Sequence, residues 1–455
     1  MKRLVVVLFS VLSVCSVAFG VTRISLAELD ADGWSKWKGR QVCITTPLVV
    51  CGTFKDSLAL ADERLFVPEE RAPGLADGDS TAYWQRVAYN ASKRIRLNCK
   101  YPYSLNLGAT IRNLTAVVTG ERQLLSAQQP TFKNFRPNKQ VPKFPGADVI
   151  VCAANIQNYF VHLGGYATRR TSPGQHTLQS LKTAHALCQL NADVYALCEL
   201  EKGPSAPAEL VAAMNQVCRK ERYAFVATDA TDGDTISVGY VYRLDRVRPY
   251  GAMQYAYEDK HDIYAYRFLL QGFEHIASGE RFAISLNHTR SKRGNPQDSN
   301  AKRMDNTEHI LNCIQSWSTT ADADPDVLLL GDYNCYTYEQ PLQTIVRAGY
   351  DDLLATDSLH YTYSYKGECG SLDRVFATPS MTAQVLGVEP IHWNTDYYYS
   401  AAYYSKYNFK NNLIPTQVTD LKAITPYLSK QAKKNLLFRY SDHDPVLIGI
   451  KLNRK

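Results

Sequence analysis

From residue 149 onward, the chain alternates between short apolar runs and segments whose apolar positions recur every three or four residues. Val149-Ile150-Val151-Cys152-Ala153-Ala154 is apolar throughout, as a strand buried on both faces requires. Leu178, Leu181, Ala184 and Leu187 then mark one face of a helix over 177–190. The same reading gives strands over 194–200, 236–242, 281–287 and 326–330, and helices over 207–219 and 304–316. Strands alternating with helices, with stretches of strand following strand, predict an α/β domain of packed layers with mixed sheets over 147–455. Upstream the pattern changes. Gln41-Val42-Cys43-Ile44-Thr45, Leu58-Ala59-Leu60-Ala61 and Ala116-Val117-Val118-Thr119-Gly120 are short strands separated by turns, the pieces of a small all-β barrel over 34–131. Pro130, Pro137, Pro142 and Pro145, set among Lys, Asn and Gln, predict a stiff extended linker over 132–146.

The first twenty residues follow another logic. Lys2 and Arg3 precede an apolar run from Leu4 to Val17, and Ala18-Phe19-Gly20 offers a small-x-small site. This reads as a secretory signal peptide over 1–20, with an exported, extracellular or periplasmic product. Val14 is bulky for the position before Cys15, which argues against lipid attachment. No later run reaches the ~18 apolar residues needed to cross a bilayer, which excludes a polytopic membrane protein. The composition, 45% hydrophobic and 21% charged, excludes collagen, coiled-coil and disordered classes. A formal net charge of +7 permits a polyanionic partner without demanding one. Of 11 cysteines, Cys15 leaves with the leader, and the even remainder favours disulfides in an exported protein. Cys43 and Cys51 are close enough in sequence to staple a hairpin, while Cys152 and Cys198, inside apolar runs, read as buried thiols.

Polar residues cluster where the apolar strands end. Asn155 and Asn158 end the first, Glu199 the second and His288 the strand over 281–287; Asp332 and Asn334 follow Leu330. Asp373 opens Val375-Phe376-Ala377, and Asp442, His443 and Asp444 precede Pro445-Val446-Leu447. Singly, each has a bland reading as a turn former, a solvated carboxylate or a hydrogen-bonded core histidine. Their shared position and complementary chemistry raise them. Carboxylates and amides suit a hard divalent cation, and two histidines with carboxylate partners suit proton transfer and oxyanion stabilisation. No Cys or His spacing of the zinc type recurs.

With those residues in view, the second domain resembles the endonuclease/exonuclease/phosphatase superfamily. The matching runs are Ala154-Asn155-Ile156-Gln157-Asn158, Ala192-Asp193-Val194 through Glu199, Leu286-Asn287-His288, Leu330-Gly331-Asp332-Tyr333-Asn334, Ser371-Leu372-Asp373-Arg374 and Ser441-Asp442-His443-Asp444-Pro445. Tyr363-Ser364-Tyr365 and His392-Trp393-Asn394-Thr395-Asp396 resemble its secreted bacterial nuclease branch, whose members often carry an oligonucleotide-binding-type barrel before the nuclease. The resemblance implies a four-layer α/β/β/α sandwich with mixed sheets. It implies metal ligation by Asn155, Glu199 and Asp442, with Glu201 as a rival ligand, and Mg2+, Ca2+ or Mn2+ as cofactor. It implies His443 at the reacting phosphate, oriented by Asp373, and Asp332 at the attacking water. Asn334 would position Asp332 or hold phosphate oxygen, and His288 would donate to the phosphate or the leaving oxygen. Asn158, Arg290, Lys292 and Arg303 are candidates for substrate contact, and a Cys335–Cys369 disulfide would pin two site loops together. Arg374 and Arg290 depart from the residues that relatives often carry there. The function implied is a secreted, metal-dependent nuclease acting on DNA, endonucleolytically. The alternatives are a phosphoesterase for a lipid headgroup or inositol phosphate, and a non-catalytic nucleic-acid-binding protein. Six tyrosines over 397–407 offer stacking faces for unpaired bases, against the plainer reading that they pack the edge of the core.

Overall fold

The structure is a computed structural model; it describes residues 21–162, 172–227, 236–256, 267–354, 360–402 and 405–453. The expected signal peptide lies outside the described residues. In the C-terminal domain, two six-stranded sheets face one another. The first runs Tyr223–Phe225, Ile236–Arg243, Val194–Glu201, Val149–Tyr159, Val446–Ile450, Val385–Pro390. The second runs Val247–Ala256, Arg267–His275, Arg281–His288, Val327–Asp332, Asp373–Ala377, Asp351–Asp352. Both are mixed: Val149–Tyr159 pairs parallel with Val194–Glu201 and antiparallel with Val446–Ile450, and Val327–Asp332 lies between a parallel and an antiparallel neighbour.

The side-chain alternation of a strand explains why these runs are apolar at every position. Val151 and Ala153 face the other sheet, where they meet Ile284, Leu328 and Leu330. Cys152 and Ala154 face outward, against helices Pro173–Leu190 and Ser205–Cys218. Helices Pro296–Trp317 and Gln340–Arg347 cover the outer face of the second sheet through Ile310, Ile314, Leu342 and Ile345. The expected α/β/β/α layering is therefore present. Pro296–Trp317 starts eight residues before the helix expected from apolar spacing, because its first two turns are polar. Proline at its first position and the Asn295 side chain, accepting from the Gln297 and Asp298 N–H groups, set the start instead.

The N-terminal unit is a small β domain, as expected, with corrected bounds. It begins at strand Thr22–Ile24 rather than near residue 34, followed by helix Leu26–Asp32 with a Ser25/Glu28 capping box. Gln41–Ile44 pairs at one end of the sheet with Leu114–Gly120, and Leu48–Phe54 pairs at the other end with Ser57–Ala61. Only three residues separate these two strands, so the continuous segment Gln41–Phe54 links the two sides of the eight-stranded sheet, a connection of the kind small barrels use. Helix Thr81–Lys93 is an addition to the expected strands, and Asn90 is its one fully buried residue. The segment 132–146 is packed rather than a free linker. Lys133 bridges to Thr110, and Phe144 lies so close over Gly449 that an added Cβ there would stand 2.3 Å from the ring. Among the described residues no helix is long and apolar enough to cross a membrane.

The barrel and the C-terminal domain meet along a backbone seam. The hairpin Tyr363–Tyr365/Glu368–Gly370 joins the barrel side through Val67 N–H to Cys369 O at 2.9 Å and Cys369 N–H to Leu65 O at 2.8 Å. Gly52 and Gly367 let the two chains touch: a Cβ on Gly52 would lie 3.0 Å from the Gly367 Cα, and Gly367 itself has φ +88°.

Candidate active site

Strands from both sheets end at one place. Glu199 does not sit in regular strand. The pairing slips between Cys198 and Leu200 on both flanks, and Glu199 adopts φ +67°, rare for a residue with a side chain. That bulge aims its carboxylate at the end of the neighbouring strand, where Asn155 Nδ2 donates to it at 3.0 Å and the Asn158 N–H at 2.8 Å. The bulge also settles the rivalry with Glu201. Simple alternation would point both residues the same way, but the slip breaks it, and Glu201 instead accepts from the N–H groups of Val161 and His162.

Across the sheets, the parallel register places His288 opposite Asp332, and the antiparallel register places Asp332 opposite Asp373. Asp332 is held on both oxygens: Oδ1 accepts from the Asn334 N–H at 2.9 Å and Oδ2 from Asn155 Nδ2 at 3.1 Å. Asn334 thus positions Asp332 through its main chain, while its side chain donates to Thr289 O at 3.2 Å. His443 Nδ1 lies 2.8 Å from Asp373 Oδ2, and its Nε2 turns toward Asp332 at 3.9 Å. His288 Nε2 stands 3.7 Å from the same Asp332 oxygen, with Arg267 behind its Nδ1 at 3.5 Å.

The electrostatics separate the groups by role. Burial pushes the Asp332 carboxyl up to about 7, with His443 opposing the shift and Asp373 adding to it. Burial also raises Glu199, and the charge of Asp442 beside it adds to that. Burial would lower His443, but Asp373 and then Asp332 outweigh it and hold the imidazole cationic, well above its usual range. His288 goes the other way: burial, Arg267 and His443 all depress it, which leaves a neutral ring.

A buried cup of carboxylates whose protons are held up by burial, and further by one another's charge, is a fit for a divalent cation, which would offset both. Glu199, His288 and Asp332 offer ligand atoms all within 4.8 Å of one another. Asp442 is near enough to Glu199 for its charge to raise the Glu199 carboxyl. Asn155 differs from expectation: it directs Nδ2 to both carboxylates and Oδ1 to the Gln157 N–H, so it braces Glu199 and Asp332 rather than offering its oxygen.

Other expectations need correction. Arg303 is no substrate contact; it is buried, and its Nη1 approaches the carbonyls of Arg290 and Ser291, tying down the loop after His288. Lys292 is paired with Glu339 at 2.5 Å. Asn158 acts through its main-chain N–H on Glu199. Arg374 is buried among Asp352, Thr337 and Glu70, so its departure from the usual residue concerns support of the site loops, not substrate. Cys335 and Cys369 form no disulfide. Cys335 sits in the core beneath helix Gln340–Arg347 near Arg303, whereas Cys369 lies on the barrel seam near Arg64 and Cys51. Cys43 and Cys51 are likewise unbonded, and Cys188 and Cys218, on two neighbouring helices, are also free thiols, with their sulfurs in contact at 2.6 Å. Cys152 and Cys198 are the buried thiols expected. Of the tyrosine cluster, Tyr397 and Tyr398 are packed and Tyr407 stacks on Tyr103 at 4.4 Å; Tyr403 and Tyr404 lie outside the described residues.

Three contributors were missed from sequence. Arg267 opens a strand whose partner hairpin was not recognised, Tyr363 tilts its ring against His443 at 4.7 Å, and Glu70 reaches in from the barrel to accept from the Ser371 N–H at 2.7 Å. Only Tyr363 carried a signal, through its place in the Tyr363-Ser364-Tyr365 run.

A sequence profile of the Endonuclease/Exonuclease/phosphatase family matches residues 171–451, more than half of the chain. The chain belongs to that family. Members of the Endonuclease/Exonuclease/phosphatase family are metal-dependent phosphoesterases. No match is found among curated proteins. Among solved structures, the chain is similar to an endonuclease/exonuclease/phosphatase from Bacteroides vulgatus at 16% identity and TM-score 0.43, over 67% of this chain and 99% of that one. It is similar to a mannosyl-6-phosphatase from Bacteroides thetaiotaomicron at 15% identity and TM-score 0.41, covering 66% and 99%. The human Nocturnin catalytic domain follows at 11% identity and TM-score 0.40, covering 66% and 93%. These likenesses are distant.

Proposed function

We propose that this chain is an exported, divalent-metal-dependent nuclease that cuts phosphodiester bonds of DNA internally. The observation that carries the reading is the His443–Asp373 couple at 2.8 Å, set against Asp332 on the rim of the Glu199–Asp442 cup. A phosphodiester is anionic, and its transition state gathers further charge on the non-bridging and leaving oxygens. His443, held cationic, donates through Nε2–H to a phosphate oxygen more strongly as that charge grows. Asp332, pushed up to about 7, accepts the proton of the attacking water, and Asn334 and Asn155 fix the oxygens that do so. Neutral His288 donates a hydrogen bond toward the phosphate. Glu199 and Asp442 would hold the cation, which when bound polarises the phosphoryl oxygen and offsets the acid cluster. The leader-like first twenty residues and the net basic charge support export and a polyanionic substrate.

The test is metal-dependent cleavage of plasmid and single-stranded DNA by the purified chain, beside sphingomyelin and an inositol phosphate. DNA turnover with Mg2+, Mn2+ or Ca2+, abolished by EDTA, is expected, and His443→Ala should lower it about a thousandfold with folding intact. Turnover of sphingomyelin or the inositol phosphate alone would replace the nuclease reading, and DNA binding without any turnover would leave a binding protein.

A further inference from the structure

Positive charge is not spread evenly over this molecule. The segment 132–146 holds Lys133, Arg136, Lys139 and Lys143 and no acid, and residues 405–435 hold six lysines against Asp420 alone. Together these two segments exceed the chain's net +7, so the remainder is net acidic. They also touch. Lys139 Nζ reaches the Lys434 carbonyl at 3.4 Å and lies 5.5 Å from the centre of the Phe438 ring. The Ser429 N–H donates to Asn408 O at 2.7 Å, and Phe409 bridges to Leu428, which brings the run carrying Lys406 and Lys410 against the start of helix Lys430–Lys434.

No local partner accounts for these cations. Elsewhere Lys36, Lys93 and Lys292 each pair with a carboxylate, on Asp32, Asp62 and Glu339. Among the described residues no carboxylate pairs with Arg136, Lys139, Lys406, Lys410, Lys430, Lys433 or Lys434, and all of them are exposed. Lys422 stands apart, because Asp420 is close to it and Glu221 lines the same groove. Beneath the basic face, Ile424, Leu428 and Ala432 pack on Leu178 and Leu181 of helix Pro173–Leu190, which contains no Asp or Glu. The helix macrodipole favours Lys433 and Lys434 in the last turn of their helix, but it opposes Lys430 at the start.

The basic face is joined to the cup. Trp393 Nε1 donates to the Asn138 carbonyl at 2.7 Å, and the next residue, Asn394, donates through Nδ2 to the His443 carbonyl at 2.6 Å. Exposed cations without partners, set beside a cup built for phosphate, are the footprint of a polyanion long enough to reach both. An anionic lipid surface would need apolar side chains turned outward among the cations, whereas Ala432, the apolar residue of helix Lys430–Lys434, is buried.

On the nuclease reading, which it deepens, we infer that segment 132–146 and helix Lys430–Lys434 form a track for the phosphate backbone of the nucleic acid beyond the scissile bond. The track supplies affinity without sequence readout, because a cation meets every phosphate alike. It favours long substrates, and a small diester does not feel it.

The experiment compares two substrates of the full chain at fixed Mg2+ across a KCl series: a long fluorophore-labelled DNA duplex, and bis(p-nitrophenyl) phosphate, which is too short to reach the track. Lys430→Ala, Lys433→Ala and Lys434→Ala combined should raise KM for the duplex on the order of tenfold with kcat little changed, and should make the slope of log kcat/KM against log salt shallower by about 2–3. Arg136→Ala with Lys139→Ala should act in the same direction, and arginine at positions 430, 433 and 434 should restore the duplex KM. Turnover of the small diester should stay at the parent level in every variant. Lys36→Ala, which removes a paired lysine of the barrel, should alter neither substrate. Circular dichroism and thermal midpoints matching the parent establish that the variants fold. A duplex KM within about twofold of the parent and an unmoved salt slope would overturn the track while leaving the nuclease intact. Loss of binding to phosphatidylglycerol vesicles with an unchanged duplex KM would overturn it in favour of a membrane surface. Absence of DNA cleavage by the parent chain would remove the nuclease reading and the track together.

Discussion

His443 shows how a single contact sets a charge. Burial alone would leave it neutral, as it leaves His288; the Asp373 carboxylate at 2.8 Å reverses the sign. Asp373→Asn keeps the size and one hydrogen-bonding atom but removes the negative charge. The folded pKa of His443 must then fall, so the protonated form is lost at lower pH. The alkaline limb of the rate profile is expected to move acidward, with kcat down about a hundredfold at neutral pH. An unmoved alkaline limb in a kcat–pH series would show that His443 does not act as a cation. Glu199 is the counterpart on the metal side, where a strained backbone is kept because only that bulge brings its carboxylate to Asn155 and Asp442.

At the scale of elements, the site depends on how Arg281–His288 and Val327–Asp332 run side by side. Gly331 sits opposite Asn287 at φ +128°, and a Cβ there would stand 2.0 Å from the Asn287 carbonyl oxygen. Gly331→Ala must therefore force the strands apart one residue before His288 and Asp332. We expect a loss of about 2–4 kcal/mol in urea unfolding, and a fall in activity larger than the unfolded fraction explains. An unchanged midpoint would mean that the strands yield without strain. This register also explains what the sequence revealed. The strands that carry the site announced themselves by apolar runs, and each of these site residues stood at one end of such a run, so Asn155, Glu199, His288, Asp332, Asp373 and His443 were legible one by one. Contributors from other elements were not. Glu70 acts from the barrel, and Arg267 from a strand with no polar punctuation of its own. Arg303 looked like a surface cation because the helix that buries it begins with polar residues. The cysteine pairing was illegible for a different reason: proximity to site loops in sequence says nothing about which face of a sheet a sulfur occupies.

For the whole molecule, the question is what the barrel does for the domain that carries the chemistry. Arg64, on the barrel side, donates to Asp396 Oδ1 and at 3.2 Å to Tyr361 Oη, while Tyr361 donates to Asp396 Oδ2 at 2.5 Å. Asp396 is fully buried, and the preceding residue, Thr395, donates to the carbonyl of Asp442 at 3.2 Å. The ion pair therefore lies one step from the metal side of the cup. Removing one partner of a buried pair leaves an uncompensated charge and costs about 3–5 kcal/mol, whereas removing both charges together costs far less. Arg64→Ala should accordingly lower the thermal midpoint and weaken activity, with KM for Mg2+ rising as the Asp442 loop loosens. Arg64→Ala combined with Asp396→Asn should recover most of the stability, because no bare carboxylate remains in the seam. Arg64→Ala at the cost of an exposed pair, ~1 kcal/mol or less, would show that water reaches Asp396 and that the seam does not fix the loop. Strong coupling in the double-mutant cycle, read both in the midpoint and in the Mg2+ dependence, would establish that the barrel braces the metal side of the site as well as standing before it in the chain.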